Sequence, residues 1–371
     1  MTEFQRRIFP LPLGPLEEYM LCDDRPAYPM SGVFRMRFIG HLDQNAFEKS
    51  VRAVMGRHPL LRATVAPARR GWRWIDNPGW VPKIQWETQS NAFGFPNTGY
   101  AALTEQPGTR IWVVEHPHGH DVILQVHHAC GDALGVAGVM EDLLVGYALA
   151  KEGKAGAASY RRLDPDRLLL RNRLSIAGLE AAGFPLKQMV GLLGVREFFM
   201  HTPDPLLGSG SPQIAHLPSA EFPGPLTVEW DENQTLRLQT AARAHGVTVG
   251  VLLIRDLFLT LDTWRREKHV GQGAPWLRIA VPMGLRSDVH RDMPMADAMS
   301  MVFLDRRPFH LKDRRRLMRS LHLQMLRIKV FRLQYTFLSS LDIMRRLPGG
   351  LSHWVCQDTC QATTCLSNLG T

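Results

Sequence analysis

A chain of 371 residues exceeds what one hydrophobic core sustains, about 250–300 residues, so two domains are expected. With 45% hydrophobic and 8% aromatic residues, the composition excludes a disordered, collagen-like or low-complexity protein. The net charge is +9, yet the entire excess lies between Asp305 and Arg346, where twelve basic residues meet three acidic ones. Basicity elsewhere therefore gives no ground for a nucleic-acid partner, and none is expected.

Five scattered cysteines are too few and too irregular for a disulfide scaffold and point to a reducing, cytoplasmic setting. The first residues, MTEFQRRIFPLPLG, lack the apolar stretch of a secretory signal. No run of about 18 uncharged apolar residues suggests a membrane span. Cys356, Cys360 and Cys365 do not have the pairwise spacing of a zinc site, so no metal is expected. His116, His118 and His120 read as solvated turn residues.

In chain order, Pro15–Cys22 reads as a helix, with Pro15 in its first turn and Glu17 and Glu18 at its positive end. Gly32–Ile39 alternates apolar and basic residues as a strand does. Leu42–Arg57 is amphipathic, with Asp43 as cap and Phe47, Val51 and Val54 on one face. His58-Pro59 ends it, and Leu60–Val65 is expected to be extended. Arg110–Glu115 and Asp121–His127 form a hairpin, and Leu134–Ala150 a second amphipathic helix. The chain is then mostly helical to about Gly210, and Pro203–Gln213 reads as a linker. Leu226–Trp230 predicts a strand, Asp231–Ala244 and Thr248–Trp264 helices, and Leu277–Val281 and Met299–Leu304 strands. Lys312–Arg346 is helical and basic.

The segment with chemistry in it is Val122–Gly135, VILQVHHACGDALG. A strand ends at His127 and His128, Asp132 follows four residues later, and a helix begins. Histidine is protonatable near neutral pH and can take a proton from a hydroxyl or amine. Adjacent strand side chains point to opposite faces, so the two rings diverge. The turn brings Asp132 near the His128 backbone, where a buried carboxylate needs a partner such as arginine. From the residues alone, a structural histidine pair, a metal site and a nucleophilic Cys130 stay open as alternatives; for a metal, no third ligand is evident.

This segment resembles the HHxxxDG signature of the CoA-dependent acyltransferase superfamily, which includes chloramphenicol acetyltransferase, wax ester synthases, alcohol acetyltransferases and condensation domains of nonribosomal peptide synthetases. Four further segments resemble the family in order: Gly40–Val65 with its RHPLLR ending, Ala244–Trp264, the VPMGLR strand end at Val281–Arg286, and Ser367–Gly370 (SNLG). The resemblance implies an α/β chloramphenicol acetyltransferase-like fold, each half a mixed sheet flanked by helices, with a tunnel between them. It places an N-terminal half at 1–160, a helical connection and linker at 161–215, and a C-terminal half at 216–371.

It also implies acyl transfer from a CoA or carrier-protein thioester to an alcohol, with amide formation or non-catalytic acyl-carrier or lipid binding as alternatives. His128 would be the general base, His127 would orient the loop, and Asp132 would be structural, paired with Arg286. Gly131, Ala133 and Gly135 would line the substrate. No cofactor is held permanently; acyl-CoA or an acyl-phosphopantetheine is the donor, and an acyl carrier protein is a partner.

Two departures stand out. Alanine occupies position 133, where the family carries glycine, and family members continue beyond the position of Thr371, so the second half reads as incomplete. The basic segment 305–346 reads as a solvated helix face, a docking site for CoA phosphates or an acidic carrier protein, or a peripheral membrane contact.

Overall fold

The computed structural model describes residues 8–26, 29–88, 100–152, 159–172, 191, 194–206, 226–268, 275–355 and 361–369. A short strand β1 (Leu11–Pro12) precedes helix α1 (Pro15–Asp23), whose first turn holds Glu17 and Glu18. Then come strand β2 (Ser31–Ile39) and helix α2 (Gln44–Arg57), with the Asp43 carboxylate accepting the Ala46 N–H at 2.9 Å as its cap. The stretch Leu60–Val65 is extended only from Thr64, not from Leu60 as expected. Pro59–Arg62 closes into a 3₁₀ turn, because proline suits a first helical position and the Leu61 N–H reaches the His58 carbonyl. Strands β3 (Thr64–Pro67), β4 (Trp72–Ile75) and β5 (Ile84–Thr88) follow. The hairpin is β6 (Thr109–His116) and β7 (Gly119–His127), and it leads through a 3₁₀ turn, His128–Cys130, into helix α3 (Ala133–Glu152).

Strands β2, β7, β6 and β5 form one sheet in that order, parallel only between β5 and β6. Every residue of β7 is buried, because the strand is covered on both faces. Val122, Leu124 and Val126 alternate into a core shared with Phe47, Val51 and Val54 of α2 and Val136, Val139 and Leu143 of α3. Ile123 points the other way, onto Trp112 and Val114. His120 is buried here and its ring accepts the Leu42 N–H at 3.1 Å, so it is not the solvated turn residue the sequence suggested.

By length and composition α3 could cross a membrane, although Glu141 and Asp142 interrupt its apolar run. Its buried Asp142 accepts from Arg57 at 2.8 Å and lies 3.0 Å from His58, and its apolar residues pack on α2, as in the core helix of a folded domain.

In the second part of the chain, the Asp231-capped helix α4 (Glu232–Ala244) and the Thr248-capped α5 (Val249–Glu267) precede strands β8 (Leu277–Gly284) and β9 (Met299–Arg306). Helices α6 (Arg314–Val330), α7 (Gln334–Met344) and α8 (Gly350–Val355) and strand β10 (Thr364–Cys365) complete it. β8 is central, antiparallel to β9 and parallel to β10. Val302 and Leu304 of β9 face a second core with α5 and α6, while Met299 and Met301 turn toward the first.

Residues 226–230 form no strand. Leu226 and Val228 are 90% and 81% exposed, and no neighbouring strand pairs with them among the described residues. Alternating apolar residues make a strand only when a ladder partner is present. Most of the helical connection expected before Gly210, and the linker from 207 onward, lie outside the described residues, as do Cys356, Cys360 and Gly370.

Candidate active site

The site is built where β7 ends. The His127 N–H donates to the Gly108 carbonyl at 2.8 Å, and a Cβ added at Gly108 would lie 2.4 Å from that of His127, so only glycine permits this approach. The buried His127 ring accepts the Ala129 N–H on Nδ1 at 3.1 Å, which leaves Nε2 to carry the ring proton. Nε2 lies 3.2 Å from the Asp24 carboxylate, poorly aligned for a linear bond, so the contact is mainly electrostatic. The other Asp24 oxygen accepts the Met30 N–H at 2.8 Å, and the Met30 carbonyl accepts the His128 N–H at 2.7 Å. One carboxylate at the end of α1 thus supports both histidines. Tyr100 also hydrogen-bonds it, and burial together with that charge pushes the phenol up to about 12.

His128 opens the 3₁₀ turn and is half-buried. Burial first, then the neighbouring His127, hold its imidazole below the ordinary histidine range, partly opposed by Asp132 and by its own main chain. It is therefore neutral at physiological pH, as a proton acceptor must be. Cys130 is fully buried, and burial pushes its thiol far above the usual range, which removes it as a nucleophile.

Asp132 caps α3, accepting the Gly135 N–H at 2.7 Å. The same oxygen accepts from Arg286 at 2.6 Å, and its other oxygen accepts the Ala298 N–H at 3.0 Å. Arg286 also donates to the Ala296 carbonyl at 3.0 Å. A cap in the first half of the chain is thus gripped by the connection between β8 and β9. Gly131 and Gly135 are buried against that connection; a Cβ would lie 2.6 Å from Met295 Cγ at Gly131 and 3.2 Å from the Arg286 guanidinium at Gly135. Ala133 is the first residue of α3, half-buried and without positive φ, so a glycine's freedom is not needed there.

Three residues that sequence reasoning passed over lie in this arrangement. Asp24 was hidden in a polar pair after α1. His58, taken only as a helix end, accepts the Met295 N–H on Nδ1 at 2.9 Å and faces Asp142 with Nε2 at 3.0 Å. Asp297, between the two alanines of the clasp, is buried; burial and the charge of Asp132 push its carboxyl well above the carboxylate range. Nothing in the local sequence around Asp297 marks it out.

No family model matches the chain. It is 26% identical over 282 residues to an uncharacterised protein of Mycobacterium tuberculosis, covering 74% of this chain and 62% of that protein. It is 24% identical over 287 residues to the isonitrile lipopeptide synthase of the same species, covering 71% of this chain and 10% of the synthase. The chain thus spans about three-fifths of the first of these curated relatives and a small part of the second.

Among solved structures it is similar to the first condensation domain of the calcium-dependent antibiotic synthetase in complex with a substrate analogue (TM-score 0.64, 15% identity, 91% of this chain and 78% of that chain). It is also similar to the SgcC5 protein of Streptomyces globisporus in complex with a naphthyl ethanediol (TM-score 0.63, 15% identity, 89% and 76%). A third similar structure is the epimerization domain of tyrocidine synthetase B (TM-score 0.59, 13% identity, 89% and 74%). The chain has the chloramphenicol acetyltransferase-like fold of condensation and epimerization domains, a mixed α/β architecture of sheets flanked by helices.

Proposed function

We propose that this chain is a condensation-type acyltransferase that moves an acyl group from a thioester, on CoA or on a carrier protein's phosphopantetheine, to a hydroxyl or amine. The observation that carries the reading is His128: an imidazole half-buried at a strand end, held below the ordinary histidine range by burial, whose backbone is fixed through Met30 and Asp24. The acceptor's proton passes to His128 as its oxygen or nitrogen attacks the thioester carbonyl. The tetrahedral intermediate collapses with release of the thiolate, which recovers the proton from His128. Positioned base catalysis of this kind contributes roughly 10²–10⁴ in rate. In this proposal the Ala133 N–H, at the positive end of α3, faces the developing oxyanion, and Gly131 and Gly135 keep the turn close to the clasp. Asp24 and His58 are positioning residues, acting through the backbones they hold.

The sequence prefers an alcohol and hence ester formation, and the diol in the SgcC5 structure is a property of that protein alone. The lipopeptide synthase supports an amine and hence amide formation. A single fold hosting both condensation and epimerization domains does not fix the reaction.

The test is thiol release from a panel of acyl-CoAs and acyl-loaded carrier proteins with alcohol and amine acceptors, comparing the parent with His128→Ala. Acceptor-dependent release that disappears in a folded His128→Ala variant is the expected result. Release unchanged by the substitution, or absent with every donor, defeats the proposal.

A further inference from the structure

The chain's positive charge is concentrated on one helix. From Arg314 to Leu333 there are seven basic residues and no aspartate or glutamate. Leu317, Leu321 and Ile328 bury the inner face of α6 in the second core, which fixes what the outer face presents. At 3.6 residues per turn, Arg316, Arg319, Leu323, Leu326, Arg327 and Val330 fall within an arc of about 100° on that outer face. All six are exposed, the three apolar ones by 45%, 48% and 58%. Arg316 pairs only peripherally, 3.5 Å from Asp313 at the helix cap, with a side chain 89% exposed.

Apolar side chains at helical spacing, interleaved with arginines along ~21 Å of a straight helix, match a flat, anionic and partly apolar surface. Arginine can lay its methylenes beside the leucines and lift its guanidinium to phosphate level. A protein ligand for such a row would need its own groove and its own acids, whereas an anionic bilayer offers both phosphates and apolar surface without either. We infer that the outer face of α6 docks the protein on a bilayer carrying anionic lipid. The inference is independent of the acyl-transfer reading.

Sedimentation with vesicles of equal parts phosphatidylcholine and phosphatidylglycerol, against phosphatidylcholine alone, tests it on the whole chain. Binding is expected to the mixed vesicles only and to weaken with salt. Arg316→Gln with Arg319→Gln should weaken it about 25-fold, from roughly fivefold per surface cation. Leu323→Gln with Leu326→Gln should weaken it at low salt as well, while circular dichroism and thermal midpoint stay at parental values for both variants. Equal binding to both vesicle types, or binding indifferent to both variants, overturns the inference. So does absence of vesicle binding accompanied by a dimer, seen by light scattering, that the leucine variant dissolves, or by salt-sensitive capture of a purified acidic carrier protein.

Discussion

Asp24 and His127 stand 3.2 Å apart, one at the end of α1 and the other at the end of β7. Through Met30 the same carboxylate reaches the backbone of His128. Asp24→Ala is expected to lower kcat for thioester-dependent transfer by about 10–100-fold with little change in KM, since it loosens the base without touching substrate. Asp24→Asn, which keeps an oxygen for the Met30 N–H, should recover part of the loss. Steady-state kinetics on both variants, with equal losses in each, would count against a role through the backbone.

The Asp132–Arg286 clasp joins the two parts of the chain at 2.6 Å with Asp132 almost wholly buried. Removing one partner of such a pair strands the other, at a cost of about 3–5 kcal/mol. Arg286→Ala should lower the urea midpoint accordingly. A double-mutant cycle with Asp132→Ala should give a coupling above about 1 kcal/mol; additive losses would show that the two act separately.

Acid should loosen the same region. His58, His128 and His290 are all held below the ordinary histidine range, burial being the largest cause for each. The unfolded chain therefore binds more protons, so their contribution is complete above about pH 6.5 and is lost as the pH falls below it. Asp297 has the opposite sign: its raised pKa stabilises at low pH, and the contribution fades as the pH rises through the folded value. Urea titrations between pH 5 and about 9 should show His58→Gln flattening the acid limb and Asp297→Asn raising stability on the alkaline side. A profile unmoved by either substitution would contradict the assignment.

Ala133→Gly tests whether alanine at this point is a defect. Because residue 133 heads α3 without positive φ, glycine should cost up to about 1 kcal/mol of stability and leave the rate within a few-fold. A tenfold gain in kcat would mean the methyl group obstructs the substrate. By contrast, Gly131→Ala must displace Met295 from a packed core and should cost roughly 1–3 kcal/mol, read as a lowered thermal midpoint.

Much of this was legible in the chain itself. The period of Phe47, Val51 and Val54 placed α2, the run ending at His127 placed β7, and VPMGLR placed the end of β8. Capping chemistry marked Asp43 correctly, because a cap is a local event. Leu226–Trp230 misled because alternation reports a side-chain pattern and says nothing of whether a partner strand exists. Asp24, His58 and Asp297 were invisible for a related reason. Each takes its role from a residue far along the chain, Asp24 from His127, His58 from Met295 and Asp297 from Asp132, and no spacing rule encodes such a meeting.

Met295 and Ala296 join the first core from far along the chain, as do Leu341, Leu351 and Val355, and the first sheet and its histidines lie entirely upstream of them. On the ribosome, at about 5–20 residues per second, the upstream half emerges with a gap in its interior and a capping carboxylate that has no cation. It must wait for the β8–β9 connection before Gly131 has anything to rest against. An upstream fragment expressed by itself should therefore be a client of chaperones and proteases.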